Sequence, residues 1–233
     1  MRNLESFSRG WYDVADMEAV PEPSVGLTPI EELYGKLPHL LTGDIVFVRH
    51  KKSFFRHFLR KVTDSYWDHS TMVLFPRNVE KKRLFSVVVE SIHHGVRSAV
   101  VSRGVSLHRL DKYLHDPERY DVGIKRVPSL TDQEREHVKL FMLMNVDAPY
   151  WPWRPVAIML ASFSKRWTKN ILKKQRFSCS SLIQKAYYDA MLWNKKPYVV
   201  FKEGVWSPIE LQELTSPGDI ARSRHAEWVY NAH

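Results

Sequence analysis

Two strand-like runs joined by a short connection constrain the fold of this 233-residue chain more than any other feature. The first, 66–75, is rich in β-branched and apolar residues and ends at Pro76, a strand breaker. The second, 84–92, is a nearly continuous apolar run of strand length, which is typical of a strand buried on both faces. Residues 77–83 between them are polar and charged, and short enough for a hairpin. We therefore predict that the two runs pair with each other.

Each of these runs carries one ionisable residue that stands out. His69 lies at the start of the first predicted strand, and Glu90 interrupts the apolar second run. A carboxylate at the end of a buried strand is costly unless it is paired, and a histidine on the neighbouring strand is a suitable partner. Pairing of the strands would bring the two side chains close together. On its own, His69 also fits an ordinary strand histidine, and Glu90 fits a surface ion pair.

The only cysteine of the chain, Cys179, lies directly ahead of an apolar stripe with helical spacing. The stripe consists of Leu182, Ile183, Ala186, Tyr187 and Ala190. At a helix N-terminus, unpaired backbone N–H groups and the helix dipole favour the thiolate form of a cysteine. On its own, Cys179 also fits a small buried hydrophobic residue. Because a nucleophilic cysteine needs a base and a group that orients the base, Cys179, His69 and Glu90 form a candidate catalytic set.

The order of four short motifs gives these residues a family context. Along the chain stand LTGDIVF at 41–47, WDHS at 67–70, VES at 89–91 with GVR at 95–97, and FSCSSLI at 177–183. The ordered set resembles the permuted papain-like amidases, the circularly permuted branch of the NlpC family, to which lecithin:retinol acyltransferase is also related. In that family the histidine precedes the cysteine, as it does here. The similarity also takes in 110–114, a strand at 121–127 and a helix after 130, and covers roughly residues 40–191.

The resemblance implies a fold and a set of roles. The expected fold is α+β and circularly permuted papain-like (NlpC-type), with an antiparallel sheet or small barrel packed against helices and the cysteine at a helix N-terminus. It implies Cys179 as nucleophile, His69 as general base and then acid, and Glu90 as the residue that orients the imidazole. We expect the backbone N–H of Cys179 to hold the oxyanion. His93 and His94 are alternatives for the base.

No metal or other cofactor is expected for this chemistry. The chain has no CxxC pair and no HExxH motif, and its histidines are not spaced as zinc ligands.

Positive charge is the second informative feature, because the formal net charge of +9 is unevenly distributed. Two stretches, 49–61 and 151–176, are rich in Lys and Arg and contain no acidic residue. The second also carries aromatic and aliphatic residues, which is typical of an element that docks an anionic membrane surface or covers an amphiphilic acyl substrate. The candidate contacts are Trp67, Trp151, Trp153, Lys165, Arg166, Trp167, Lys169, Lys173 and Lys174. The alternative is an amphipathic helix packed on the core with a solvated basic face, and no motif favours nucleic acid.

These features predict a cysteine hydrolase of the amidase or peptidase type, acting through a thioester on a peptide or cell-wall amide. One alternative is an acyl hydrolase or acyltransferase that acts on membrane lipids, which includes a secreted effector. The other is a non-catalytic module that binds a lipid or a peptide in the same fold. The oligomeric state stays open.

The chain is expected to form one catalytic domain at 40–200 with an extension on each side. Residues 1–39 are predicted to be an arm with a helix near 29–37, and 201–233 a C-terminal extension packed on the same domain with a turn at 206–211. A strand is also predicted at 44–48, and helices are predicted at 53–62 and, from a capping box, after Thr131. The N-terminus lacks the pattern of a secretory signal and no apolar run reaches a membrane-spanning length. The expected location is therefore cytoplasmic or peripheral at the membrane, with export without a cleaved signal left open.

Overall fold

The computed structural model describes residues 29–52, 57, 60–61, 64–82, 84–92, 104–149, 177–195, 199, 201–202 and 214–231. These residues have an α+β fold. The helices with given bounds are α1 (Pro29–Gly35), α2 (Asp111–Leu114), α3 (Asp132–Met144), α4 (Cys179–Trp193) and α5 (Pro217–Arg222). The strands are β1 (Ile45–His50), β2 (His69–Phe75), β3 (Val87–Ile92), β4 (Gly104–Arg109), β5 (Tyr120–Arg126) and β6 (Glu227–Asn231).

The strands form a six-stranded sheet in the order β4-β3-β2-β1-β5-β6, and every neighbouring pair is antiparallel. The predicted hairpin of β2 and β3 is confirmed, with Met72 opposite Val89 and Val73 opposite Val88. On the two outer sides of this hairpin, Val48 of β1 lies opposite His69, and Ser106 of β4 lies opposite Glu90. The sheet therefore holds His69 and Glu90 on adjacent central strands.

Both faces of the sheet are covered, so β1 has almost no polar face. Ile45 and Phe47 point into the larger core, which contains residues of α3 and α4, while Val46 and Val48 point into a smaller core beside Tyr34 of α1 and Tyr113 of α2. Successive side chains of a strand alternate between faces, so a strand between two apolar layers is apolar throughout.

Three of the described helices, α3, α4 and α5, begin with capping boxes. Thr131 caps α3, and its hydroxyl accepts a hydrogen bond from the backbone N–H of Glu134 as predicted. Ser178 caps α4 in the same way with Ser181, which fixes the start of α4 at Cys179. The side chains of these caps satisfy backbone N–H groups that a helix leaves without partners in its first turn.

The sheet extends beyond the strands that the sequence pattern predicts. Strands β1 and β5 agree with the predictions at 44–48 and 121–127, apart from their ends, and α1 falls within the helix predicted near 29–37. Strands β4 and β6 were not predicted. The helix predicted at 53–62 lies largely outside the described residues, and the turn predicted at 206–211 lies wholly outside them.

The C-terminal segment is joined to the sheet by backbone pairing and by a buried lysine. Strand β6 pairs with β5 along the edge of the sheet. Lys125 of β5 is 3% exposed, and its ammonium donates to the carbonyl oxygens of Ala221 at 2.7 Å and Ser223 at 2.8 Å. These carbonyls lie at the end of α5, where a cation is favoured because helix carbonyls there lack partners.

Trp67 is a core residue, which corrects its prediction as a substrate or membrane contact. It is only 3% exposed and packs against Phe47 and Trp228, with ring centroids 5.7 and 5.8 Å away. The rings of Trp67 and Trp228 also cover Gly123 in β5, where an added Cβ would lie 2.8 Å from each of them. The close approach of the two indoles explains why a glycine occupies the middle of a strand.

A buried ion pair fixes the start of β1. Asp44 is fully buried and accepts hydrogen bonds from Arg126 Nε at 2.8 Å, Arg126 Nη2 at 2.7 Å and the backbone N–H of Leu41 at 2.8 Å. The preceding Gly43 adopts a φ of +88°, a conformation that favours glycine. Its carbonyl accepts a hydrogen bond from Tyr187 of α4 at 2.5 Å, which ties this turn to the helix that carries Cys179.

Removal of Arg126 should destabilise the protein strongly because it leaves the Asp44 carboxylate buried without its cation. We expect Arg126→Met to lower the free energy of unfolding by about 3 kcal/mol, the low end for a broken buried pair since Arg126 is partly exposed. Chemical denaturation measures this. The matched control is Lys36→Met, which removes an exposed ion pair with Glu32 and should change stability little. Equal losses of unfolding free energy in Arg126→Met and Lys36→Met would contradict a special role for the ion pair between Asp44 and Arg126.

Candidate active site

Three elements converge at one end of the hairpin and bring His69, Glu90 and Cys179 together. His69 is the first residue of β2, Glu90 lies in β3, and Cys179 is the first residue of α4. The segment before α4 is bound to β3 because the Ser91 hydroxyl donates to the carbonyl oxygen of Phe177 at 2.9 Å. Residues from distant parts of the sequence thus meet through backbone pairing and one side-chain hydrogen bond.

The three side chains are linked in series. His69 Nε2 lies 2.6 Å from Glu90 Oε2, and the imidazole also forms a hydrogen bond with the thiol of Cys179. Since Nε2 faces the carboxylate, Nδ1 is the ring nitrogen left for the sulfur. His69 and Glu90 are 6% and 1% exposed, whereas Cys179 is partly exposed. The nucleophile candidate is therefore reachable from solvent while its partners are buried.

The hydrogen bonds of this series change the ionisation of all three groups. Burial alone lowers the pKa of His69, but its hydrogen bonds to Cys179 and Glu90 and their negative charges outweigh burial and raise that pKa to about 9. Burial alone raises the pKa of the Cys179 thiol, but its hydrogen bond to His69 and the imidazolium charge lower that pKa to about 7. Between about pH 7 and 9 the pair is therefore a thiolate beside an imidazolium.

Glu90 is surrounded by donors on its other sides. Oε2 also accepts a hydrogen bond from the Tyr113 hydroxyl at 2.6 Å, and Oε1 accepts one from the Lys112 ammonium. Nε2 of His108 lies 3.7 Å from Oε1. Burial alone raises the pKa of Glu90, but the hydrogen bond from His69 and the positive charges of His69 and Lys112 hold it well below its usual range. The carboxylate is ionised at neutral pH.

The serines around Cys179 have structural partners. Ser178 and Ser181 form the capping box of α4, and Ser180 donates to the carbonyl oxygen of Thr215 at 2.6 Å. The backbone N–H of Cys179 lies in the first turn of α4, where helix geometry gives it no carbonyl partner within the helix. The backbone of Ser70 forms a further hydrogen bond with the Cys179 sulfur. The Ser70 backbone therefore stabilises negative charge on the sulfur, and the N–H of Cys179 stays the predicted donor to the oxyanion.

Three residues near the carboxylate were not singled out from the sequence, namely His108, Lys112 and Tyr113. Lys112 and Tyr113 fall within the 110–114 stretch that carries part of the family resemblance, but no role was assigned to them. Nothing in their local pattern distinguishes them from other polar residues. A pairing of β3 with β4 would have been needed to place them beside Glu90.

Several predicted residues lie outside the part of the chain that the structure describes. These are His93, His94, Trp151, Trp153, Lys165, Arg166, Trp167, Lys169, Lys173 and Lys174. The basic stretch at 49–61 is partly described, and acidic residues from other elements face it. Arg49 and Lys51 approach Asp121 at 3.6 and 2.8 Å, and Arg60 approaches Asp68 at 2.8 Å.

Two properties of the described residues bear on other classes of function. No group of three or more His, Cys, Asp or Glu residues among them is arranged to hold a metal ion. None of the helices within the described ranges is long and apolar enough to cross a membrane.

Comparison with known proteins shows a similarity in fold. No protein-family model and no curated protein matches this chain. Among solved structures, it is similar to the crystal structure of the metalloprotein YiiX (DUF1105) from Escherichia coli O157:H7, with a TM-score of 0.53 and 17% sequence identity. The match covers 83% of this chain and 98% of YiiX. At this identity the similarity concerns the fold alone.

The depressed pKa of Cys179 should be visible in its alkylation by iodoacetamide. We expect the rate to rise with pH with a midpoint near 7, because only the thiolate reacts. In His69→Ala the midpoint should move above about 8.5, the usual thiol value, because burial remains while the imidazolium is lost. His137→Ala is the matched control, since that histidine stacks on Trp193 of α4. A midpoint that His69→Ala leaves unchanged would contradict the coupling.

Proposed function

We propose that this protein is a cysteine hydrolase that cleaves amide bonds in peptides or cell-wall peptides through a thioester intermediate. The observation that carries the proposal is the hydrogen-bonded series of a partly exposed Cys179, a buried His69 and a buried, ionised Glu90. A nucleophile, a base and a group that orients the base are the parts that covalent acyl transfer needs. A protein that only bound a ligand would not need a nucleophile, a base and an orienting carboxylate together.

We also propose that the fold is circularly permuted papain-like. The ordered motifs that end with Cys179 support this proposal, because they resemble those of the permuted papain-like amidases. The observed antiparallel sheet, with the histidine on a strand and the cysteine on the first turn of a packed helix, is compatible with that arrangement.

The first half of the reaction forms the acyl-enzyme. The thiolate of Cys179 attacks the amide carbonyl carbon, a C–S bond forms, and the carbonyl oxygen becomes an oxyanion near the backbone N–H of Cys179. The imidazolium of His69 then gives its proton to the amide nitrogen, the C–N bond breaks and the amine leaves. The product is a thioester on Cys179 and a neutral His69 that is still hydrogen-bonded to Glu90.

The second half releases the acid. Neutral His69 takes a proton from a water molecule, whose oxygen attacks the thioester carbonyl. The C–S bond then breaks, and its electrons return to the sulfur as thiolate. The carboxylic acid leaves and the thiolate–imidazolium pair is restored. Glu90 stays ionised throughout and stabilises each imidazolium form of His69.

The same steps apply to an acyl ester in a lipid, with an alcohol in place of the amine. We favour the amide because the ordered motifs resemble amidases. The stretch at 151–176, which is rich in basic and aromatic residues, is the sequence feature that favours a lipid substrate. The two substrate classes are best separated by assay.

A metal centre, which the description of YiiX raises, is not supported by the donors at this site. Both oxygens of Glu90 already accept hydrogen bonds, and one of them does so from the Lys112 ammonium. A cation beside the carboxylate disfavours a second cation at the same oxygens. The Glu90 site therefore fits a metal poorly.

Turnover assays with a peptide anilide series and with a phospholipid ester series test the proposal. We expect turnover of the amide series, an acyl adduct on Cys179 in intact-protein mass spectra, and no adduct in Cys179→Ala. His69→Ala should lower kcat/KM by about 10²–10⁴-fold, the range for loss of a general base, and His137→Ala should not. Turnover of the ester series alone would establish the lipid alternative. A reactive thiol with no turnover of either series would identify a binding module.

A further inference from the structure

Glu90 has more partners than an orienting carboxylate requires. His69 Nε2 and the Tyr113 hydroxyl both lie 2.6 Å from Oε2, while Lys112 donates to Oε1. A carboxylate that accepted only the hydrogen bond from His69 could still rotate about its own side-chain bonds. With a donor on each oxygen, its plane and its distance from the imidazole are both fixed.

We propose that Lys112 and Tyr113 are positioning residues for the Cys179 reaction, which hold the Glu90 carboxylate ionised and in the one orientation that fixes His69. This inference rests on the proposed function for its catalytic meaning. The contacts themselves do not depend on which acyl substrate is used.

Lys112 and Tyr113 lie on an element that is held in place by a backbone hydrogen bond and by core packing. They belong to the short helix α2, which follows β4 directly after Leu110. Leu110 is fully buried, and its N–H donates to the carbonyl oxygen of Ser86 at 2.9 Å. The ring of Tyr113 is 6% exposed and packs edge-on against Tyr120, with centroids 5.3 Å apart. Donors held in this way lose little freedom when they bind the carboxylate.

Charge explains why one of the donors is a lysine. In the active form the charges alternate along the series, negative on the sulfur, positive on His69, negative on Glu90 and positive on Lys112. Without Lys112, the buried Glu90 carboxylate and the partly exposed thiolate would share one imidazolium, which is costly because Glu90 is removed from water. The ammonium thus keeps Glu90 ionised and also makes the thiolate easier to form.

His108 is the only other described basic group that approaches Glu90 within 4 Å, apart from His69 and Lys112. Burial lowers the pKa of His108, the Glu90 charge raises it and the Lys112 charge lowers it, so His108 is a neutral neighbour at physiological pH. Arg109 and His115 approach Asp111 instead, at 2.6 and 3.3 Å. If Lys112 is removed, His108 becomes easier to protonate and can replace part of the missing charge.

The first readout is the titration of Glu90 itself, followed by NMR of carboxyl-labelled glutamate. We expect Lys112→Met to raise the Glu90 pKa by about one to three units, the usual effect of losing an adjacent opposite charge, and Lys112→Arg to restore it. Lys112→Met combined with His108→Gln should raise it further. Lys139→Met is the matched control, because that lysine pairs with Glu136 on α3.

The second readout is the pH profile of Cys179 alkylation. We expect Lys112→Met to move the midpoint to higher pH and to slow alkylation at pH 7 by about fivefold, which is the loss of thiolate when a midpoint of about 7 rises by one pKa unit. Tyr113→Phe keeps the ring and loses only the hydroxyl, so it should slow alkylation by a smaller factor without unfolding the protein. A residue with only a structural role would change stability but not these profiles.

The outcomes separate the two proposals. Unchanged Glu90 titration and alkylation profiles in both Lys112→Met and Tyr113→Phe, with a reactive thiol in the unaltered protein, would overturn the positioning role. If Lys112→Met does not fold, unchanged profiles in Tyr113→Phe and in Lys112→Gln, which is neutral but polar, would overturn it equally. A shifted Glu90 titration in a protein that turns over no acyl substrate would support the positioning role and refute the proposed function.

Discussion

The buried hydrogen bond between His69 and Glu90 is the interaction on which the candidate site depends. It places a carboxylate inside an apolar sheet, which costs free energy unless the charge is compensated on all sides. The 2.6 Å contact with His69 compensates one oxygen, and Tyr113 and Lys112 complete the set. The same hydrogen bond fixes which imidazole nitrogen faces Cys179. The hydrogen bond between His69 and Glu90 therefore serves both the structure of the site and its proposed chemistry.

The antiparallel sheet makes this arrangement possible because it is covered on both faces. Helix α4 packs on one face and presents Cys179 at its capped N-terminus, while α2 lies against the other face and presents Lys112 and Tyr113. The site lies where the hairpin of β2 and β3 begins, so elements from both layers can reach it. The likeness to YiiX concerns the fold alone, and the function has to be argued from the residues.

Features with a strong local signal were predictable from the sequence. The apolar runs of β2 and β3, the capping box at Thr131 and the helix after Cys179 each depend on residues close together in the chain. Strands β4 and β6 carry no comparable pattern, and their place in the sheet comes from backbone pairing with β3 and β5. Trp67 was assigned wrongly because an indole suits both a membrane surface and a core, and only its packing against Phe47 and Trp228 distinguishes them.

The sequence by itself determined that a cysteine begins a helix and that a histidine and a glutamate lie on adjacent strands, because spacing and polarity are local properties. Only the tertiary structure decided how these residues are charged. The pKa values of Cys179 and His69 depend on burial and on each other. The pKa of Glu90 depends on His69 and on Lys112 of α2, a helix whose position beside β3 was not predicted from the sequence. Burial and electrostatic interactions act through space, so they exist only once the chain has folded.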